Sequence, residues 1–139
     1  MNEEISLADY QALAEFRYQI RRFLNFSEQA ARAAGVEPQQ HQLMLALKGM
    51  PVGKQTTIRN LAERMKLQHH STVELVDRLV DRGLVYRSRD GVDQRQVLVY
   101  LTPQGEEILR ELSIHHRTEL RSTGPDLVRA LNAIIGNSE

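Results

Sequence analysis

Three observations predict a mainly helical fold with one small β-hairpin for this 139-residue chain. Apolar residues recur every three or four positions over long stretches at both ends, the period of helices with one buried face. Between them, TTIRNLAERMKLQHHSTVELVDRLVDRGLV reads as two helices in quick succession. Two runs rich in Val, Tyr and Leu follow at once, flanking the polar tip DGVDQ as the arms of a hairpin.

The elements follow in order. From about Ser6 to Ala34, Leu13, Phe16, Ile20, Phe23 and Leu24 keep helical spacing, and Gly35 ends the helix. Pro38 opens a short helix through Leu43, Met44 and Leu47, closed by Gly49 and Pro51. Thr56 or Thr57 caps the next helix, which turns Ile58, Leu61, Ala62 and Met65 inward. After a turn near Lys66–Gln68, a second helix buries Val73, Val76, Leu79 and Val80 and ends at Gly83. Leu84–Arg89 and Arg95–Leu101 form the hairpin arms. Thr102 and Pro103 then supply an N-cap and a first-turn proline for a helix through Ile108, Leu109 and Leu112. Ser122–Pro125 is expected to interrupt it, leaving a final helix with Leu127, Val128, Leu131, Ile134 and Ile135.

Residues 1–139 read as one domain with two lobes: about 37–102 around the paired helices and hairpin, and about 6–34 with 103–136 as a helical lobe. The terminal helices carry more apolar surface than one small domain needs. They either cover their own core or pack against a second copy as an isologous dimer.

Composition narrows the function classes. The chain is 41% hydrophobic and 26% charged, ordinary for a soluble globular protein. It has no cysteine, which excludes disulfides, thiolate metal sites and thiol redox sensing. No signal peptide opens it, and no apolar run reaches the roughly 18 residues of a membrane helix, so a cytoplasmic protein is expected. The formal charge is zero, yet Lys54 to Arg95 holds nine Lys/Arg against six Asp/Glu. That excess matters only where the cations share a surface. No glycine-rich phosphate loop and no nucleophile–base grouping is present, so no enzyme and no cofactor are expected.

Two close helices followed by a hairpin make a winged helix–turn–helix, whose shape suits duplex DNA. The second helix fits a major groove, and the hairpin reaches the adjoining minor groove. Gln68, His69, His70, Ser71 and Thr72 begin the solvent side of that helix, followed by Glu74 and Arg78. Ser71 and Thr72 are also suited to capping it, and Asp77 and Arg78 to pairing with neighbours. Arg87, Arg89 and Arg95 crowd the hairpin tip, where guanidinium groups can enter a narrow, strongly negative minor groove. Asp93, two residues before Arg95, is placed to brace that guanidinium by a charge-assisted bond. The rival reading is a winged-helix adaptor for other proteins, which would have no use for arginines at the tip.

The runs STVELVDRLVDRGLVYRSRD and DQRQVLVYLTPQGEEIL resemble the MarR (multiple antibiotic resistance regulator) family, and the likeness extends over the whole chain. The resemblance implies a winged helix–turn–helix with amino- and carboxy-terminal dimerisation helices. It also implies a homodimeric transcription regulator, usually a repressor, on a pseudo-palindromic double-stranded DNA operator. The wing role carries over to Arg95 with Asp93. The recognition positions carry over to His69, His70, Ser71, Thr72 and Glu74, where paired histidines and Glu74 depart from the usual small, hydroxyl or basic residues. Release by a small phenolic or anionic effector is implied too, with Tyr18, Arg21, Arg22, Phe23, Phe26 and His41 as candidates to line its cleft. Glu111, His115 and Glu119 share one helical face, a spacing that suits a salt-laced surface better than a metal.

Overall fold

The computed structural model describes residues 3–136. Its elements are α1 (Leu7–Ala33), α2 (Pro38–Lys48), α3 (Ile58–Met65), α4 (His69–Asp81), β1 (Val85–Ser88), β2 (Leu98–Leu101) and α5 (Pro103–Ile135). Among the described residues no helix is long and apolar enough to cross a membrane. The chain divides into two compact units, residues 31–112 and the two terminal stretches that flank them.

Caps define the helix ends. At the start of α1 the Ser6 hydroxyl accepts the Asp9 N–H (3.1 Å), and the Asp9 carboxylate accepts the Ser6 N–H (3.0 Å). At its end Gly35 adopts φ +86°, with the Gly35 and Val36 N–H groups bonded back to the carbonyls of Arg32 and Ala31. This Schellman closure needs a left-handed residue, which glycine supplies without a Cβ clash. Thr57 caps α3 by accepting the Asn60 N–H (3.1 Å), and Asn60 donates to the Gln55 carbonyl (2.7 Å).

In residues 31–112 the core is built from Leu43, Met44, Leu61, Val76, Leu79 and Val99, all fully buried. Each contributes about 1.5–3 kcal/mol through its burial. The inward face of α4 differs from the expected one: Thr72, Leu75, Val76 and Leu79 are buried, while Val73 and Val80 are half-buried. The buried four stand at i, i+3, i+4 and i+7, so the helical stripe includes a threonine. The Thr72 hydroxyl donates to the Gln68 carbonyl (3.0 Å), which satisfies it away from water.

The strands are shorter than expected. Val85–Ser88 pairs antiparallel with Leu98–Leu101, in the register Val85↔Leu101 to Ser88↔Leu98. Residues 89–97 form a loop instead of continuing the arms. The segment before α3 adds to the other edge of β2: the Val99 N–H donates to the Thr56 carbonyl (3.0 Å), and the Thr56 hydroxyl to the Val99 carbonyl (2.7 Å). At the hairpin's exit the Thr102 hydroxyl accepts the Gly105 N–H (3.0 Å) and donates to the Gly83 carbonyl (2.6 Å). One side chain thereby starts α5 and ties it to the end of α4.

The expected break at Ser122–Pro125 is absent, and α5 runs unbroken through Pro125. A proline inside a helix loses one backbone bond and crowds the residue before it. Here that residue is Gly124, which has no Cβ to be crowded.

In the terminal unit α1 and α5 meet through the Arg22–Asp126 ion pair (3.2 Å) and a cluster around His116. The rings of Phe23 and Phe26 present edges to His116 at 5.9 and 5.2 Å, and the Ser27 hydroxyl lies 2.7 Å from its Nε2. Outside these contacts the helices leave Leu7, Tyr10, Leu13, Val128, Leu131 and Ile135 exposed.

Candidate nucleic-acid interface

The amino end of α4 begins at His69, with Gln68 as its N-cap through backbone alone. Neither Ser71 nor Thr72 caps it. Gln68, His69, His70, Glu74 and Arg78 are exposed, and Ser71 is half-buried. Thr72, at 0% exposure, lies in the core and is corrected out of the interface.

The three wing arginines do not act alike. Arg87, alone among them on a strand, donates to the Asp77 carboxylate on α4 and so ties the hairpin to that helix. Arg89 turns onto its own loop, donating to the carbonyls of Arg95 (3.0 Å) and Gln94 (3.4 Å). Arg95 projects, with 91% of its side chain exposed. The expected convergence of all three on one patch is therefore replaced by a division of labour. Two arginines hold the loop's shape and one extends from it.

Asp93 braces Arg95, although a turn and not a strand brings them together. Its carboxylate accepts the Arg95 Nε–H (3.1 Å), a terminal guanidinium N–H (3.3 Å) and the Arg95 backbone N–H (3.0 Å). These bonds hold the Asp93 carboxyl below its ordinary pKa, so it stays ionised at neutral pH. The Tyr100 hydroxyl donates to Asp90 (3.0 Å), which fixes the other side of the loop and raises the phenol's pKa. Gly91 folds over Leu98, where a Cβ would lie 2.6 Å from that side chain.

A groove of about 610 Å³ runs between the amino end of α4, the start of α3 and the base of the wing. His69, Gln96 and Val97 line it together with residues 53–55 and 57–60. The second helix and the wing therefore share one continuous surface. Lys54, Arg59, Asn60 and Gln96 were not among the expected site residues. Lys54 lies in the basic stretch, and Arg59 follows the first residue of α3 on its outer side, which is the signal that points to them.

The effector candidates are dispersed. Tyr18 and Arg21 are exposed, Arg22 is held by Asp126, and Phe26 packs on His116. His41 is buried in the other unit. A cavity of about 290 Å³ in the terminal unit is lined by Ala12, Glu15, Gln19, Asp126, Arg129, Ala130 and Ala133, and by none of Tyr18, Arg21, Arg22, Phe23, Phe26 and His41. Among the described residues no group of three or more His, Asp and Glu, including Glu111, His115 and Glu119, is placed to hold a metal.

Comparison with known proteins agrees with this geometry. Residues 34–96 match the MarR family. YsmB of Bacillus subtilis, named as an HTH-type transcriptional regulator, is 37% identical over 65 residues, 47% of this chain and 44% of that protein. The chain spans about half the length of the curated relatives it matches. AbsC of Streptomyces coelicolor superposes with a TM-score of 0.75 at 18% identity, covering 94% of this chain and 91% of that one. A mutant MarR from E. coli, solved with operator DNA, superposes at 0.62 and 18% identity, covering 81% and 76%. Residues 34–96 thus match the MarR family over just under half of the chain, and the described architecture is similar to the winged helix–turn–helix folds of those solved structures.

Proposed function

We propose that this protein is a cytoplasmic, homodimeric regulator of transcription that binds a pseudo-palindromic operator in double-stranded DNA, acts as a repressor and releases DNA on binding a small effector. The observation that carries the reading is Arg95, extended into solvent and braced by Asp93, on a wing whose base shares a groove with the exposed amino end of α4. A guanidinium held in this way enters a minor groove at little further cost in side-chain order. His69, His70 and Glu74 then face the major groove, with Glu74 suited to accept from a cytosine amino group. The structure of E. coli MarR with operator DNA supports the reading by likeness of fold.

Dimerisation draws support from Leu13, Val128, Leu131 and Ile135, which stand 49%, 56%, 40% and 67% exposed on the terminal helices. Apolar surface of this extent favours a partner, and an identical chain gives a closed, two-fold contact. The adaptor alternative leaves the projecting arginine and its brace without a use.

Selection of bound duplexes from a random pool, followed by a salt titration of the winner, tests the proposal. Each neutralised phosphate adds about −0.9 to the slope of log affinity against log salt. A protein that captures no duplex even in dilute buffer is not such a regulator.

A further inference from the structure

We infer that the groove between residues 53–60 and the wing base is a seat for one backbone phosphate of the DNA duplex, held by Lys54 and Arg59 with His69 and Gln96 beside them. The inference rests on the proposed function and extends it from the recognition helix and the wing tip to the start of α3 and the segment before it.

The lining is what an anion requires. It contains Lys54, Arg59 and His69, the amides Gln55, Asn60 and Gln96, and no carboxylate. Lys54 and Arg59 form no ion pair among the described residues, unlike Lys66, Arg87 and Arg95 of the same unit, so neither charge is already neutralised by an acid at the groove. Glu63, whose carboxyl feels the charge of Lys54, is bonded to Lys66 instead (2.6 Å). Two like charges facing one groove repel each other until a counter-charge arrives. A phosphodiester supplies that charge, along with acceptor oxygens for the neighbouring amides.

The groove's frame is built before any ligand arrives. Gly53 turns the chain at φ +88°, Asn60 bonds the Gln55 carbonyl (2.7 Å), and the Thr56 backbone is tied to β2. Its position fits the occupant. The groove joins the amino end of α4 to the wing, so a duplex touching both passes its backbone across it.

The test is the double variant Lys54→Gln/Arg59→Gln, compared with wild type on the selected duplex and on a scrambled one. Both side chains are exposed, so their loss leaves the fold intact, which a thermal melt checks. The expected result is a salt slope smaller by about 1.8 for the dimer, about 0.9 from each protomer, with similar fold losses on both duplexes, because a phosphate contact reads no sequence. A variant with the wild-type slope overturns the inference while leaving the proposed function standing. A wild-type protein that binds no duplex sinks both. A second arm titrates inorganic phosphate against the DNA-free protein and follows the backbone amides of Lys54, Arg59 and His69. Weak, unsaturated shifts agree with a duplex as occupant, and tight saturation assigns the groove to a free phosphate ligand and overturns the inference.

Discussion

Gly105→Ala sets two opposed effects against each other at the joint between the wing and α5. Alanine is favoured over glycine inside a helix by about 1 kcal/mol, so propensity alone predicts a more stable protein. The surroundings reverse the sign. A Cβ at position 105 would lie 2.1 Å from the Leu84 carbonyl oxygen, 3.1 Å from its carbon and 3.3 Å from the Leu101 side chain. The obstacle is backbone and cannot rotate aside. The Leu84 carbonyl accepts the Thr102 N–H (3.0 Å), and its own N–H is bonded to Leu79 (3.0 Å), so it is held from both sides. Moving it by about 1 Å weakens a hydrogen bond worth about 1 kcal/mol and adds overpacking of about 1–3 kcal/mol. After the propensity gain, the net loss is about 1–3 kcal/mol. At about 4 °C per kcal/mol this lowers the Tm by about 4–12 °C. Thermal unfolding followed by circular dichroism reads it directly. A Tm equal to or above wild type would show that α5 does not approach Leu84 this closely.

Two further outcomes follow from other parts of the molecule. Leu131→Glu places a charge on a residue 40% exposed in the single chain, so it spares the fold but costs several kcal/mol if a partner covers that face. Sedimentation should show monomer at micromolar concentration, and an intact dimer would remove this face from the interface. The raised pKa of Tyr100 comes first from its hydrogen bond to Asp90. A raised value means that the phenol keeps its proton for this tie through the neutral range and up to the ordinary phenol value of 10.0, and loses it only as pH climbs through the higher folded one. Asp90→Asn should bring the Tyr100 titration back toward 10.0, read as the difference between the ultraviolet titrations of wild type and variant. A late titration unmoved by that change would place its cause elsewhere.

The elements readable in the sequence are those defined by local chemistry. Gly35, Pro38, Thr57, Gly83 and Thr102–Pro103 mark boundaries because caps and left-handed turns involve residues close in the chain. What escaped depends on distant partners or on context. The hydroxyl of Thr72 makes it read as a surface residue, although its spacing to Leu75, Val76 and Leu79 places it on the buried stripe. Pro125 reads as a stop until Gly124 and the length of α5 are weighed together. The arginines of the wing differ only through what they meet: an α4 carboxylate for Arg87, loop carbonyls for Arg89, solvent for Arg95. Residue type gives all three the same reach. The attachment of Thr56 to β2 shortens the hairpin's independence in the same non-local way.

The most direct test of the central claim is the affinity of Arg95→Ala for the selected duplex, measured beside the wild type. Loss of about 1–3 kcal/mol, with the dimer and the melting temperature unchanged, is the predicted result. Wild-type affinity in that variant would contradict the account, because the one guanidinium the wing extends into solvent would then have nothing to reach.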